Sequence, residues 1–312
     1  GAESYVVYRS EYDSKKKKWS KWTSVSSELK ALKFSDKNVK NAKKYKYAVL
    51  AKKGDTTSAY NSSSSMYRLT RTTISTAMAA SGVTVKWEKV SGATGYKIYR
   101  SEYNPEKNKW SSYKALTKVD KSKTSYTDST AKNAVKYKYT VKVVKGSSVS
   151  ARAGSSVIVF VSCPLVEISS TTNGITICWN KISGATGYRL YRSQYDSKNK
   201  KWSSYKRIKT LDEKTFKWTD TSLESSKKYR YTVKAVNGDY VSRYKSSNSL
   251  TYLSAPNVNA SVNDNEEIIV NWNKISGAKS YEILRKENKD NTWSSWEVIA
   301  TADSSKTSWQ DE

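Results

Sequence analysis

Four times along the chain a tryptophan is followed by serine, one further residue and a second aromatic ring. The copies are Trp19-Ser20-Lys21-Trp22, Trp110-Ser111-Ser112-Tyr113, Trp202-Ser203-Ser204-Tyr205 and Trp293-Ser294-Ser295-Trp296. In the first three, a tyrosine (Tyr12, Tyr103, Tyr195) stands seven residues before the tryptophan, across a basic tip. The first tip reads Lys15-Lys16-Lys17-Lys18. Flat rings beside cations can stack on sugar rings or bases, and an ammonium can pair with carboxylate, sulfate or phosphate. The candidate ligand-binding set is therefore Tyr12, Lys15, Lys16, Lys17, Lys18, Trp19 and Trp22, with Tyr103, Trp110, Tyr113, Tyr195, Trp202 and Tyr205 in the next two copies. A second account needs no ligand: Tyr–Trp pairs across a long hairpin steady it by about 0.2–1 kcal/mol each. The fourth copy has a shorter tip carrying Asn288 and Asp290, so it should bind differently or not at all.

Other chemistries find few residues. The chain has no histidine, which excludes Ser-His and Cys-His catalysis. No glycine-rich phosphate loop is present. No catalytic residue, cofactor or metal site is expected; zinc in particular lacks ligands with two cysteines and no histidine. Asp264, Glu266 and Glu267 form an acidic loop with too few oxygens to expect calcium. Cys163 and Cys178 are the only cysteines. A hairpin turning near Thr171–Gly174 would set them almost opposite each other, where a disulfide would close a short loop worth roughly 3 kcal/mol.

These groups must be positioned by strands. Residues 85–100, Val-Lys-Trp-Glu-Lys-Val-Ser-Gly-Ala-Thr-Gly-Tyr-Lys-Ile-Tyr-Arg, return as 177–192 and as 270–285, and their second half opens the chain. The repeat near 92 residues is of small-domain size. In its second copy, strands are expected at 70–78, 83–87, 96–100, 110–119, 124–128, 137–143 and 150–160, separated by turns at Ser81-Gly82, Ser91–Gly95 and Gly146. Seven or eight short alternating strands with turns every 8–12 residues predict an antiparallel sandwich. Hydrophobic residues are 37%, with 24 Tyr and 11 Trp but 3 Phe, so the core must use Val, Ile, Leu, Trp and Tyr, residues that favour strands.

The second-strand tryptophan, the Gly-x-x-Tyr-x-Ile-Tyr-Arg strand, the aromatic-Thr-Asp turn and the Tyr-x-Tyr-x-Val strand before a Gly turn together resemble fibronectin type III modules, in the form found in bacterial cell-surface and extracellular proteins. The resemblance covers the whole chain. It implies an all-β chain of tandem antiparallel, immunoglobulin-like β-sandwiches in an extended array. It puts Trp87, Trp179 and Trp272 in the cores and Tyr45, Tyr137 and Tyr229 at tyrosine corners. Partial modules are expected at 1–68, lacking the first two strands, and at 253–312, lacking the last two; complete ones at 69–159 and 160–252. The partial ends fit a fragment of a longer array, or strands exchanged between chains as in a filament. The Gly turns at Lys53-Gly54-Asp55, Lys145-Gly146-Ser147 and Asn237-Gly238-Asp239 lie where integrin-binding family members carry an acidic tripeptide. A turn needing φ > 0 explains them without a receptor.

Charge narrows the partners. The net charge is +28. Residues 1–68, 69–159 and 160–252 carry +10, +12 and +10, while 253–312 carry −4. Such a surface attracts polyanions; lysine on strand faces and edges also prevents edge-to-edge pairing. No apolar run approaches 18 residues, so no helical membrane span is expected. The resemblance implies a stalk and adhesive surface of a Gram-positive bacterium, on the cell surface or secreted. A glycan- or polyanion-binding accessory of a polysaccharide-degrading enzyme is the other reading. Expected partners are anionic or neutral glycans, cell-wall polymers or a host surface protein, beside neighbouring modules of the chain; nucleic acid is not expected.

Overall fold

The computed structural model describes residues 1–311. The chain is all-β and falls into two compact units, Gly1–Phe160 and Val161–Glu312. Tandem antiparallel β-sandwich sheets, rebuilt at the sequence repeat, make up both.

In the first unit, Gly82–Trp87 pairs with Ile74–Ala79 on one side and Ser125–Asp128 on the other. Against this three-stranded sheet packs a second, in which Gly95–Asn104 is the central strand. Lys136–Lys145 pairs along one edge of it, and Lys109–Trp110 and Lys114–Asp120 along the other. Alternation sends Tyr96 and Ile98 inward from one strand and Tyr137, Tyr139, Val141 and Val143 from its neighbour, all fully buried. They meet Val83, Val85 and Trp87 from the facing sheet. The second unit repeats this, with Val166–Thr171, Gly174–Trp179 and Lys217–Asp220 facing a sheet centred on Gly187–Asp196 and Lys228–Asn237. Trp179, Tyr188, Leu190, Tyr229, Tyr231 and Val233 fill its core.

The flanking regions are thinner. Ser4–Asp13 pairs with Lys44–Lys53, and the stretch holding Leu29 crosses beside Tyr5, tied to it by two backbone hydrogen bonds of 2.8 Å. Near the C-terminus Val258–Val262, Ile268–Trp272 and Ser308–Asp311 form one sheet, and Ser280–Arg285 with Glu297–Asp303 another. Trp272 is buried.

Two expected strands differ. The return strand near 110–119 is broken in two, with a bulge between Ala115 and Thr117. The last strand near 150–160 becomes three pairs of residues, Ser148–Val149, Ala153–Gly154 and Ile158–Val159. Serine side chains are the cause. The Ser150 and Ser155 hydroxyls accept the Val143 and Tyr139 N–H groups at 2.9 Å, bonds that the ladder would otherwise supply from carbonyls. Among the described residues no helix is long and apolar enough to cross a membrane.

Candidate functional site

The tyrosine and tryptophan of each hairpin do meet. Tyr12 lies opposite Trp19, Tyr103 opposite Trp110 and Tyr195 opposite Trp202. Their ring centroids are 5.2, 5.4 and 5.2 Å apart, with planes tilted by 58–59°. Long side chains of the neighbouring strand then lie over the rings. Lys46 Nζ sits 4.8 Å from the Trp19 centroid, Lys138 Nζ 4.3 Å from Trp110, and the Arg230 guanidinium 4.3 Å from Trp202. The open faces expected for stacking on a ligand are thus occupied by the protein's own rings and cations. In the fourth copy Trp293 and Trp296 are exposed, with Lys286 Nζ about 5 Å from each.

The serine of the motif has a role the sequence did not reveal. The hydroxyls of Ser20, Ser111, Ser203 and Ser294 accept the backbone N–H of Glu11, Glu102, Gln194 and Glu287 at 2.9–3.0 Å. Trp-Ser is therefore where the returning strand leaves its ladder. The tips are turns closed by a side chain: Asp13 accepts from the Lys15 and Lys16 N–H groups, Asn104 from Lys107 and Asp196 from Asn199. Lys15, Lys16, Lys17 and Lys18 are exposed at the first tip. Trp22, Tyr113 and Tyr205 lie partly buried on the outer sheet face, away from the tips. Trp22 meets Tyr60 at 5.6 Å, Tyr113 carries Arg152 at 5.1 Å and Tyr205 meets Tyr244 at 5.3 Å.

A second recurrent group joins the two sheets of the second and third repeats through a buried carboxylate. Asp128 is fully buried and binds Arg100 Nη1 at 2.8 Å; it also accepts from the Tyr139 hydroxyl at 2.8 Å and the Thr130 hydroxyl at 2.7 Å. Burial alone would raise the Asp128 carboxyl. Hydrogen bonds from Thr130, Arg100 and Tyr139, with the Arg100 charge, outweigh burial and hold it below the usual carboxylate range. Burial and the bond to Asp128 push the Tyr139 phenol well up. Arg192, Asp220 and Tyr231 repeat the arrangement, as do Arg9, Asp36 and Tyr47. Arg285 and Asp311 form the exposed counterpart. The arginine of the repeated strand and the Asp of the aromatic-Thr-Asp turn were both visible in the sequence; their pairing needs the fold.

The tyrosine corners take the expected places. The hydroxyls of Tyr45, Tyr137 and Tyr229 accept the N–H of Lys40, Lys132 and Glu224 at 3.0, 2.8 and 3.1 Å. Gly54, Gly146 and Gly238 have φ of 55°, 57° and 53°, in keeping with the turn explanation. Among the described residues no three His, Cys, Asp or Glu side chains gather as metal ligands.

The disulfide expectation is corrected. Neither Cys163 nor Cys178 is in a disulfide. The hairpin register sets Glu167, not Cys163, opposite Cys178, and Cys163 lies before the Val166–Thr171 strand begins. Burial pushes the Cys163 thiol up, against the charges of Lys245 and Arg243.

The sequence matches no protein-family model and no curated protein. Three solved structures illustrate what the fold is similar to. The chicken CNTN1 FN1–FN3 domains are 13% identical, with a TM-score of 0.27 over 80% of this chain and 89% of theirs. A two-domain fibronectin type III segment of chicken tenascin is 15% identical, with a TM-score of 0.30 over 59% of this chain and all of the segment. The chicken interferon gamma receptor alpha chain is 14% identical, with a TM-score of 0.35 over 58% and 98%. The fold itself is defined by the strand pairing of the two units.

Proposed function

We propose that this chain is a non-catalytic stalk and adhesive region of a bacterial surface or secreted protein, built from β-sandwich modules at 1–68, 69–159, 160–252 and 253–312. The observation that carries it is a side-chain-specified seam between successive repeats inside each compact unit. In the first unit Asn41 Nδ2 donates to the Ser91 carbonyl at 2.9 Å, and its Oδ1 accepts the Thr70 N–H at 2.9 Å. Ala42, at φ 61°, is so close that a Cβ on Gly92 would sit 2.4 Å from its own. Lys145 Nζ donates to the Ala42 carbonyl at 3.2 Å and lies 4.7 Å from the Tyr67 ring centroid. In the second unit the equivalent Ser225 donates to the Ser276 carbonyl at 3.1 Å, and Ser226 crowds Gly277. Repeats that bury separate cores and touch through such seams transmit tension from one to the next. The extracellular, Gram-positive setting draws support from the resemblance of the repeat alone.

Single-molecule stretching of the tethered chain tests this. Residues 69–159 and 160–252 should open in separate steps, each releasing about 30 nm at roughly 3.4 Å per residue. One cooperative rupture of the whole chain would contradict a modular stalk.

A further inference from the structure

The outer sheet face of the third repeat carries a cleft that the hairpin tips do not share. It holds about 410 Å³ and is lined by Tyr191, Tyr205, Tyr244, Arg230, Lys234 and Thr232, with the Ser203 and Ser204 hydroxyls at its margin. No carboxylate lines it. Its cations are held in place by rings: Lys234 Nζ lies 5.1 Å from both Tyr191 and Tyr244, and Arg230 is 5.3 Å from Tyr205. Neither cation is in an ion pair among the described residues. Lys234 also faces Arg189 across the ladder, and like charges set opposite each other repel.

The same set stands 92 residues earlier as Tyr99, Tyr113, Lys138, Thr140, Lys142 and Arg152, with Arg152 in place of Tyr244. There Lys142 lies 5.6 Å from Tyr99 and Arg152 5.1 Å from Tyr113. Lys142 faces Lys97, which in turn faces Lys118 on the next strand, a row of three lysines. The nearest acid along that strand, Asp120, accepts the Ser122 N–H in its own turn. In the first repeat Leu50 stands where Lys142 and Lys234 stand, so that copy lacks a cation.

We infer that these two sheet faces, at 99–152 and 191–244, are paired binding sites for an acidic oligosaccharide. Charge complementarity selects an anion, and relief of the facing cations favours it. The two cations of each face are four residues apart on one strand, about 14 Å between Cα atoms, a span that suits a short run of acidic sugars rather than one small ion. The Tyr191, Tyr244 and Ser204 hydroxyls suit a polyhydroxylated ligand, whereas those of Thr232, Ser203 and Tyr205 already donate to the Lys245 and Ser204 carbonyls and to Ser246. The rings are capped by cations and, at Tyr205–Tyr244, meet at 69°, which offers no parallel platform for bases. Cations already ordered over rings lose little further freedom on binding.

Titration calorimetry of the full chain at low salt, with a galacturonate hexamer, a neutral glucose hexamer and a ten-residue oligothymidylate, tests the assignment. The galacturonate should bind at two per chain, and the neutral hexamer should not bind. Lys138→Gln with Lys142→Gln, or Arg230→Gln with Lys234→Gln, should each leave one site. All four together should weaken binding at least about tenfold, and its salt dependence should flatten. Lys15→Gln with Lys16→Gln, an equal loss of charge at a hairpin tip, should leave both sites. An equal loss in that control, absence of galacturonate binding, or tighter binding of oligothymidylate to the same residues would overturn it. Melting temperatures of the Lys and Arg variants at or above wild type would show the fold intact.

Discussion

At the scale of single residues, the repeat is pinned by polar side chains in an aromatic core. Asp128 shows how: it compensates Arg100, takes the Tyr139 hydroxyl and sits on the Thr130 turn. Asp128→Ala takes the acceptor from the Tyr139 hydroxyl and the buried partner from Arg100, which keeps Glu102 and the Thr130 hydroxyl, and urea unfolding should show a loss of about 2–3 kcal/mol. Tyr137→Phe removes only the acceptor of the Lys132 N–H, and the same measurement should give about 1 kcal/mol. The pH dependence follows from the lowered Asp128 and Asp36 carboxyls. A group depressed in the folded state adds stability that is complete above its unfolded value, near 3.9, and is lost as pH falls through the folded value. Thermal melts should therefore be flat in this respect from neutrality to about pH 5 and decline below about pH 4. Asp128→Ala should decline less steeply. Trp87, Trp179 and Tyr137 were identifiable from alternation and spacing. The Arg100–Asp128 pair was not, because its members lie on strands of opposite sheets, 28 residues apart in sequence.

Among the elements, the hairpin is where the sequence spoke most ambiguously. Trp-Ser-x-aromatic carries the same residue types whether it binds a ligand or builds a strand. The structure separates the roles: Trp110 packs on Tyr103 under Lys138, Ser111 replaces a ladder carbonyl, and Tyr113 turns toward the outer sheet face. Trp110→Ala should cost about 0.5–1 kcal/mol by urea unfolding and speed amide exchange only around the hairpin. Exchange quickened throughout 74–160 would instead make the hairpin part of the core. The cysteine expectation failed at this scale too. A one-strand register places Glu167 where Cys163 was expected, and sequence alone fixes the turn but not how far the preceding segment is extended.

Over the whole molecule, repetition made the fold readable. A 92-residue period, a core tryptophan in three of its copies (Trp87, Trp179 and Trp272) and alternating strands specified the sandwiches, since each copy had to bury the same face. The outer-face clefts were not readable in the same way. Tyr99 comes from one strand, Lys138 and Lys142 from its neighbour and Arg152 from the segment just before the Ala153–Gly154 strand, and only pairing brings them onto one surface. Gly1–Phe160 and Val161–Glu312 are compact units with their own cores. Amide hydrogen exchange of Asp128→Ala beside the wild-type chain tests this most directly. Protection should fall across 74–160 while 166–251 keeps its wild-type protection. Equal loss of protection in both regions would contradict separately stabilised modules.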